Sequence, residues 1–262
     1  MARIAICILA GALSLLSGCA AGPTRQDPLE AINRGIYRFN HAVDTVVLRP
    51  VAKGYEKVVP RIARKGVTNF FSNIGMVVTT FNDALQLKGE KVPVDIMRFA
   101  TNTVFGLGGL IDVASEMQIE YRSEDFGQTL GYWGVNSGPY LVLPFLGPSS
   151  LRDGPALAVD MVVSPYFHLD DDSADVRWSL LALSVVNTRA NLLALDPLLA
   201  QQVDPYSFVR DTYLQRRDYL INDGNPPQPQ DSTDGSRARS LRELEEEEFG
   251  DEPVIPPAGQ QQ

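Results

Sequence analysis

The chain has 262 residues, of which 44% are hydrophobic and 21% charged, and its formal net charge at pH 7 is −9. Most of this charge lies in residues 222–262, where ten acidic residues outnumber three arginines for a net −7, whereas residues 19–221 carry only −3. Nothing in this nearly neutral body indicates a nucleic-acid-binding surface, which requires a basic face, and the body is long enough for one large domain.

The first 18 residues are predicted to be an export signal. Arg3 precedes an apolar stretch at 4–16 that is too short to span a bilayer. The letters "LSGC" at its end resemble the lipobox of bacterial lipoproteins, in which the cysteine becomes the first residue and is acylated. We therefore expect a covalent lipid on Cys19 and a linker at 19–26, and Ala20, in place of aspartate, favours the outer membrane. The alternative is an ordinary secretory signal in which Cys19 is incidental.

The mature chain begins with a predicted amphipathic helix. Asp27 and Glu30 form a candidate capping box around Pro28, and apolar residues then recur at spacings of three and four to about residue 55. A bend is expected at Pro50, since proline cannot donate within a helix. The same spacing predicts further helices over 61–73, 94–104, 156–163, 174–195 and 205–220, the last two capped by Asp172 or Ser173 and by Asp204.

Two glycine-rich segments interrupt this helical pattern, at 105–110 and at 126–154. Residues 126–151 lack any charge, a run long enough to cross a bilayer. Their glycines and prolines would break a spanning helix, however, and only residues 140–143 fit a strand. We therefore predict an all-α domain over 27–221 with amphipathic helices and two irregular segments, followed by a disordered acidic tail at 222–262, which has few apolar residues to bury.

The sequence contains few candidates for chemistry. His41 and His168 lack the companions of a metal motif, and Cys7 lies in the signal, so neither a metal site, a disulfide nor a catalytic thiol is predicted. The glycines at 106–109 lack the lysine and the preceding strand of a phosphate-binding loop, and they favour close backbone approach or a hinge. We expect no enzyme and no cofactor beyond the lipid on Cys19.

Several long blocks of the chain resemble the MlaA family, also called VacJ lipoproteins. They are "DPLEAINRGIYRFNHAVD" at 27–44, "RFATNTVFGLGGLIDVAS" at 98–115, "EDFGQTLGYWGVNSGPYLVLPFLGPSSLRD" at 124–153 and, near residue 220, "DPYSFVRDTYLQRRDYL". The resemblance implies an outer-membrane lipoprotein whose helices form a ring within the periplasmic-side leaflet, bound to a trimeric porin. It also implies an amphipathic channel that removes mislocalised phospholipids from the outer leaflet and passes them to the periplasmic carrier MlaC.

The uncharged glycine-rich segments are the expected border of such a channel, because irregular backbone at membrane depth must be buried in protein or line a polar cavity. Two alternatives stay open: a membrane-anchored lipid hydrolase using residues such as Ser149, Ser150, His168 and Asp171, and a scaffold that only binds porin. The candidate channel or hinge residues are Phe39, Asn40, Gly106, Gly108, Gly109, Gly131, Trp133, Gly134, Gly138, Pro139, Tyr140 and Gly147.

Overall fold

Ten α-helices and one two-stranded hairpin make up the part of the chain that the computed structural model describes, residues 27–168 and 174–225. The helices are α1 (Glu30–Val43), α2 (Arg49–Val58), α3 (Arg61–Leu85), α4 (Lys91–Val104), α5 (Val113–Glu116), α6 (Phe126–Tyr132), α7 (Asp153–Val163), α8 (Ala174–Leu192), α9 (Asp196–Ala200) and α10 (Pro205–Ile221). Strands β1 (Tyr140–Leu143) and β2 (Gly147–Ser150) lie between α6 and α7. The all-α prediction is confirmed, with this small hairpin as an addition.

The predicted capping box at the start of α1 is wrong. The helix begins at Glu30 with Leu29 as its N-cap and no side-chain cap. The Asp27 carboxylate is instead fully buried and accepts hydrogen bonds from the side chains of Asn33 and Tyr206. Glu30 pairs with Arg34 at 2.7 Å. Both carboxylates are therefore used in side-chain contacts that a local capping pattern does not predict.

The bend expected at Pro50 takes the form of a π-helical segment, Asp44–Leu48, which joins α1 to α2. Helix α2 follows without a break, because the backbone of Leu48 is itself helical. Pro50 therefore lies inside a continuous helical run, directly after the π-helical segment, and its missing N–H leaves one acceptor of the preceding turn without its usual donor. The helical run then continues to Val58, three residues beyond the predicted end.

Helices α3 and α4 form an antiparallel pair that is longer than predicted. Helix α3 runs to Leu85, whereas the apolar spacing predicted an end near residue 73. The reason is that the buried positions in its second half are largely polar, among them Asn73, Thr79, Asn82 and Asp83. A search for an apolar stripe cannot follow a helix whose buried face is polar.

The segment 126–154 is more regular than expected. Residues Phe126–Tyr132 form α6, capped by Asp125, whose side chain accepts from the amide of Gln128 at 2.8 Å. The predicted strand at 140–143 is confirmed as β1, and it pairs antiparallel with β2 in the register Tyr140↔Ser150. Strand β2 was missed because its sequence, "GPSS", has none of the β-branched or aromatic residues that favour strands.

The C-terminal helices agree closely with their predicted positions. Helix α8 leads through a 3₁₀ turn at Leu193–Leu195 into α9, and α10 is capped by Asp204 as predicted, with the amide of Tyr206 donating at 3.2 Å. The predicted caps of α8, Asp172 and Ser173, lie outside the described residues. So do the predicted signal, the linker with Cys19, and the acidic tail from residue 226 onward.

Candidate functional site

The described residues reverse the usual distribution of polar and apolar side chains. Nine hydrophobic residues are buried, against twenty-one polar or charged ones, and thirty-seven large hydrophobic residues are exposed. The helical run Ala174–Ala200 is long and apolar enough to cross a membrane, yet only 11% of its most apolar stretch is buried inside the protein. In a water-soluble domain the interior is apolar, so this arrangement fits a domain with an apolar solvent outside and a polar interior.

One part of this interior is a small polar cavity of about 140 Å³ between α3, α4 and α5. Arg98 and Asp112 form its charged wall, with Arg98 Nη2 at 2.8 Å from both carboxylate oxygens. Asn102 donates to Asp112 at 3.0 Å and accepts from the amide of Ala114 at 2.8 Å. Asn73 also lines the cavity, and its buried Oδ1 has no hydrogen-bond partner within the described structure. The cavity can therefore accept a polar donor without breaking an existing contact.

The predicted glycines of the α4–α5 loop lie beside this cavity. A Cβ on Gly106 would come within 2.1 Å of the Ile111 carbonyl oxygen, and one on Gly109 within 2.7 Å of the Asn73 side chain. Gly108 has φ +72° and open space around it. The glycines thus allow the loop to close against α3. The same loop exposes Phe105 and Leu107, whose side chains are 71% and 70% accessible.

The predicted residues Phe39, Asn40 and Tyr140 meet where α1 packs on the hairpin. Asn33 and Asn40, two helical turns apart, each pair their side-chain amide with the backbone of β1 or its turn. Asn33 donates to the Tyr140 carbonyl oxygen at 2.9 Å and accepts from Val142 at 3.0 Å. Asn40 donates to Leu143 at 2.9 Å and accepts from Phe145 at 2.8 Å. Side chains of α1 therefore satisfy backbone groups on the edge of β1 that does not pair with β2.

Aromatic rings reinforce this contact. Phe39 packs edge to face against Phe145 at the tip of the hairpin, with their centroids 5.3 Å apart. Tyr140 is fully buried and contacts the rings of Tyr206 and Tyr213 on α10. The hairpin tip itself is apolar and exposed, with Phe145 72% accessible.

The other candidate residues of the uncharged segment have several different environments. A Cβ on Gly131 would meet Ile221 and Arg152 at 2.8 and 2.9 Å, so this glycine permits close packing of α6 against α10. The Trp133 ring is exposed, and its Nε1 donates to the Leu85 carbonyl oxygen at 3.2 Å. Gly134, Gly138 and Pro139 lie between α6 and β1, and Gly147 is the first residue of β2. The three glycines have positive φ, and the Pro139 carbonyl oxygen accepts from the amide of Leu151.

A charged cluster that the sequence did not predict joins the glycine-rich segment to α10. Arg217 contacts both oxygens of Asp125, at 2.5 and 2.9 Å, and also Asp153 at 3.1 Å. Tyr213 donates to Asp153 at 2.6 Å. Burial opposes ionisation of Asp125, but the hydrogen bonds from Arg217 lower its pKa below the ordinary value. The sequence offered two hints of this cluster. Asp125 and Asp153 stand at helix starts, and Arg217 stands in the last block that resembles MlaA.

A second interior cluster is rich in carboxylates. Asp83 and Asp95 are both buried, and Arg122 lies between them, 3.8 Å from Asp83 and 3.1 Å from Asp95. Burial, followed by the closeness of Asp95, raises the pKa of Asp83 to about 7. Burial likewise raises the pKa of Asp160 to about 6, although its carboxylate accepts from the amide of Phe126. Part of this interior therefore titrates near neutral pH.

The residues considered for hydrolysis make other contacts. Ser150 Oγ accepts from the amide of Asp153 at 3.0 Å, at the start of α7. The His168 ring contacts the Val162 carbonyl oxygen, within its own helical hairpin. Asp171 lies outside the described residues. Among the residues that the structure describes, no group of three or more His, Cys, Asp or Glu side chains is placed to hold a metal ion.

Comparison with known proteins gives consistent matches. Residues 25–220 match the family described as MlaA lipoprotein. The chain is 38% identical over 230 residues to the intermembrane phospholipid transport system lipoprotein MlaA of Escherichia coli (strain K12), covering 85% of this chain and 90% of that one. The protein of the same description from Haemophilus influenzae is 35% identical over 221 residues, covering 80% of this chain and 87% of its own length.

A solved structure supports the same relationship. Its description is "Structural basis for maintenance of bacterial outer membrane lipid asymmetry", and it superposes with a TM-score of 0.66 at 36% identity. The match covers 75% of this chain and 100% of the other.

Proposed function

Since the chain belongs to the MlaA lipoprotein family, we propose that it removes phospholipids from the wrong leaflet of the outer membrane and so maintains lipid asymmetry. The observation that carries this proposal is the reversed distribution of side chains, with an apolar exterior around a polar interior. The relatives are named for intermembrane phospholipid transport, and a domain of this construction suits contact with lipid on its outer face.

The physical task is to move a polar headgroup past hydrocarbon. A bare charge at the bilayer centre costs about 3 kcal/mol even on lenient insertion scales, so a polar-lined route lowers the barrier. The unpartnered Asn73 oxygen and the Arg98–Asp112 wall offer such a surface beside the glycine loop. No nucleotide is needed for this step, because direction follows from mass action when a downstream protein captures the lipid.

The partners belong to the same proposal. We expect the helices to form a ring in the periplasmic-side leaflet, anchored by lipid on Cys19, beside a trimeric porin, with the periplasmic carrier MlaC receiving the phospholipid. Exposed apolar features such as Phe105 and Phe145 favour contact with lipid or with the apolar outer face of a barrel. A single acyl chain holds a protein only marginally, so a multiply acylated Cys19 would supply much of the anchoring.

The test removes polarity from the interior without changing its volume greatly. We expect Asn73→Leu to leave helix content unchanged but to raise outer-leaflet phospholipid in cells whose own copy of the protein is deleted. The matched control is Gln215→Leu, the same kind of change at an exposed position on α10. If Asn73→Leu cells keep outer-leaflet phospholipid as low as wild-type cells, the interior is not the route.

Two further measurements, one on purified protein and one on deletion cells, separate the rival functions. A lipid hydrolase would release fatty acid from phospholipid when the purified protein is incubated with it, whereas a transporter would not. A scaffold that only binds porin predicts normal outer-leaflet phospholipid after the whole gene is deleted. Either result would contradict the transport proposal.

A further inference from the structure

A second and much larger cavity lies at the junction of α2, the start of α3 and the end of α8. Its volume is about 1220 Å³, larger than the roughly 300–1,000 Å³ of ordinary ligand pockets. Five basic residues line it: Arg49, Lys53, Arg61, Arg64 and Lys65. We call this cavity the basic groove.

The five basic residues of the basic groove outnumber the carboxylates that line it. Its two carboxylates are already paired, Asp196 with Arg49 at 2.9 Å and Glu56 with Arg64 at 3.0 Å. The other three cations, Lys53, Arg61 and Lys65, pair with no carboxylate among the residues that the structure describes. The groove therefore keeps an excess of three positive charges.

The start of α3 adds to this positive potential. The helix is 25 residues long, its N-cap is Pro60, and no side chain caps its first amides. The positive end of a helix dipole favours acidic residues, yet the first turn of α3 has none. Three of the first five residues of this helix are instead basic: Arg61, Arg64 and Lys65. Such an arrangement is unfavourable in the absence of an anion and becomes favourable when one binds.

Arg64, which lines the basic groove, has donors that are not used by a carboxylate. Its Nη1 pairs with Glu56, whereas its Nε has no hydrogen-bond partner in the described structure. Guanidinium groups bind phosphate oxygens through two parallel donors, which suits an arginine at this position to an anion.

The lining also has an apolar part, which we call the apolar wall. Ala190, Leu193, Ala194, Pro197 and Ala200 contribute to it from the end of α8 to α9, beside the polar Asn191 and Asp196, and Ile62, on α3, is 88% exposed. A soluble anion would gain nothing from this surface, whereas the acyl-chain end of a lipid headgroup would contact it. Thr68 connects the groove to the interior, since its hydroxyl accepts from the side chain of Asn187, a buried residue of α8.

We propose that the basic groove binds the phosphate of an anionic phospholipid headgroup, with the apolar wall against the first part of the acyl chains. The inference rests on the proposed function only in taking membrane lipid as the source of that phosphate. It assigns a headgroup preference to a region separate from the polar cavity beside the glycine loop.

The experiment measures binding to the full chain purified in detergent. Isothermal titration would compare dihexanoyl phosphatidylglycerol, dihexanoyl phosphatidylcholine and inorganic phosphate. We expect phosphatidylglycerol to bind most tightly, and binding to weaken as salt is added, because the contact is ionic. In the double variant Lys53→Gln with Lys65→Gln, its affinity should fall by about tenfold, which is within the range that two lost phosphate contacts supply.

The matched control is Lys57→Gln, an exposed lysine on α2 that does not line the basic groove. It removes one charge nearby and should change the affinity by less than about twofold, because exposed charges outside the contact are screened. The single variants Lys53→Gln and Lys65→Gln are measured beside it, and losses no larger than that of Lys57→Gln would mean general attraction and would overturn the site. Equal affinity for inorganic phosphate would overturn the lipid assignment, and equal affinity for phosphatidylcholine would overturn the preference for an anionic headgroup. Binding is read on purified protein, so this result is independent of the asymmetry assay on Asn73→Leu cells.

Discussion

Replacing Gly106 with alanine tests whether the glycine loop beside the polar cavity depends on close backbone approach. An added Cβ would lie 2.1 Å from the Ile111 carbonyl oxygen and 2.4 Å from that of Asn102. Both obstacles are main-chain atoms, which cannot rotate away as a side chain could. The Asn102 carbonyl also accepts from the amide of Gly109 at 2.9 Å, and the Gly106 carbonyl accepts from Ile111 at 2.9 Å.

The expected loss has two parts. Forcing an extra methyl group into a packed site costs about 1–3 kcal/mol. Displacing the carbonyls weakens one or two hydrogen bonds, each contributing about 1 kcal/mol. The free energy of unfolding should therefore fall by about 2–5 kcal/mol, which for a domain of this size lowers the thermal midpoint by roughly 10 °C.

The assay is thermal unfolding in detergent, followed by circular dichroism, with two other glycines as controls. Gly108→Ala keeps a positive φ but meets no atom within 4 Å, so only about 1 kcal/mol of backbone strain is expected. Gly35→Ala lies within α1 in open space and should stabilise the protein by about 1 kcal/mol, because alanine favours helix. A Gly106→Ala midpoint no lower than that of Gly108→Ala would refute the reasoning from close contact.

Three further changes test other parts of the molecule. Asn40→Leu leaves the Phe145 amide and the Leu143 carbonyl without their partner, so we expect faster proteolysis at the hairpin turn than in the wild-type protein. Asp83→Asn should flatten the pH dependence of stability. The raised pKa of Asp83 means that the folded state holds the proton more tightly than the unfolded state does. This contribution to the stability of the wild-type protein is therefore lost as pH rises from about 4 to about 7, whereas the variant has no such carboxyl to titrate. Thermal midpoints at pH 5 and pH 8 measure this, and equal slopes would contradict it. Cys19→Ser should abolish acylation, which mass spectrometry of the N-terminal peptide detects, and a still-lipidated variant would exclude Cys19 as the anchor.

Sequence reasoning worked best where a local signal has one physical meaning. Asp204 before Pro205 predicted the start of α10, and the short apolar run at 140–143, ended by Pro144, predicted β1. It failed where a partner distant in sequence decides the outcome. Asp27 looked like a helix cap, but its carboxylate is buried against Tyr206, 179 positions along the chain. No local pattern distinguishes these two uses of an aspartate.

The polar interior explains the other failures. Patterns of helical periodicity assume that buried positions are apolar, so the second half of α3 was not predicted. The glycines at 106–109 predicted close backbone approach or a hinge, but the particular contacts of Gly106 with Ile111 and of Gly109 with Asn73 required the fold. The three excess cations of the basic groove, Lys53, Arg61 and Lys65, are close together in the sequence. Their lack of carboxylate partners, however, appears only when α2, α3 and α8 are seen together.

The exposed apolar surface also has a consequence for how the protein reaches its membrane. Side chains such as Trp178 and Ile62, 63% and 88% accessible, belong to an apolar surface. Exposed apolar patches of this kind promote aggregation in water. The export predicted from residues 1–18 would take the chain across an aqueous compartment before it meets the outer membrane, and there the finished surface would drive self-association. On that route the apolar helices would have to be covered by another protein, or the fold would have to be completed only in lipid.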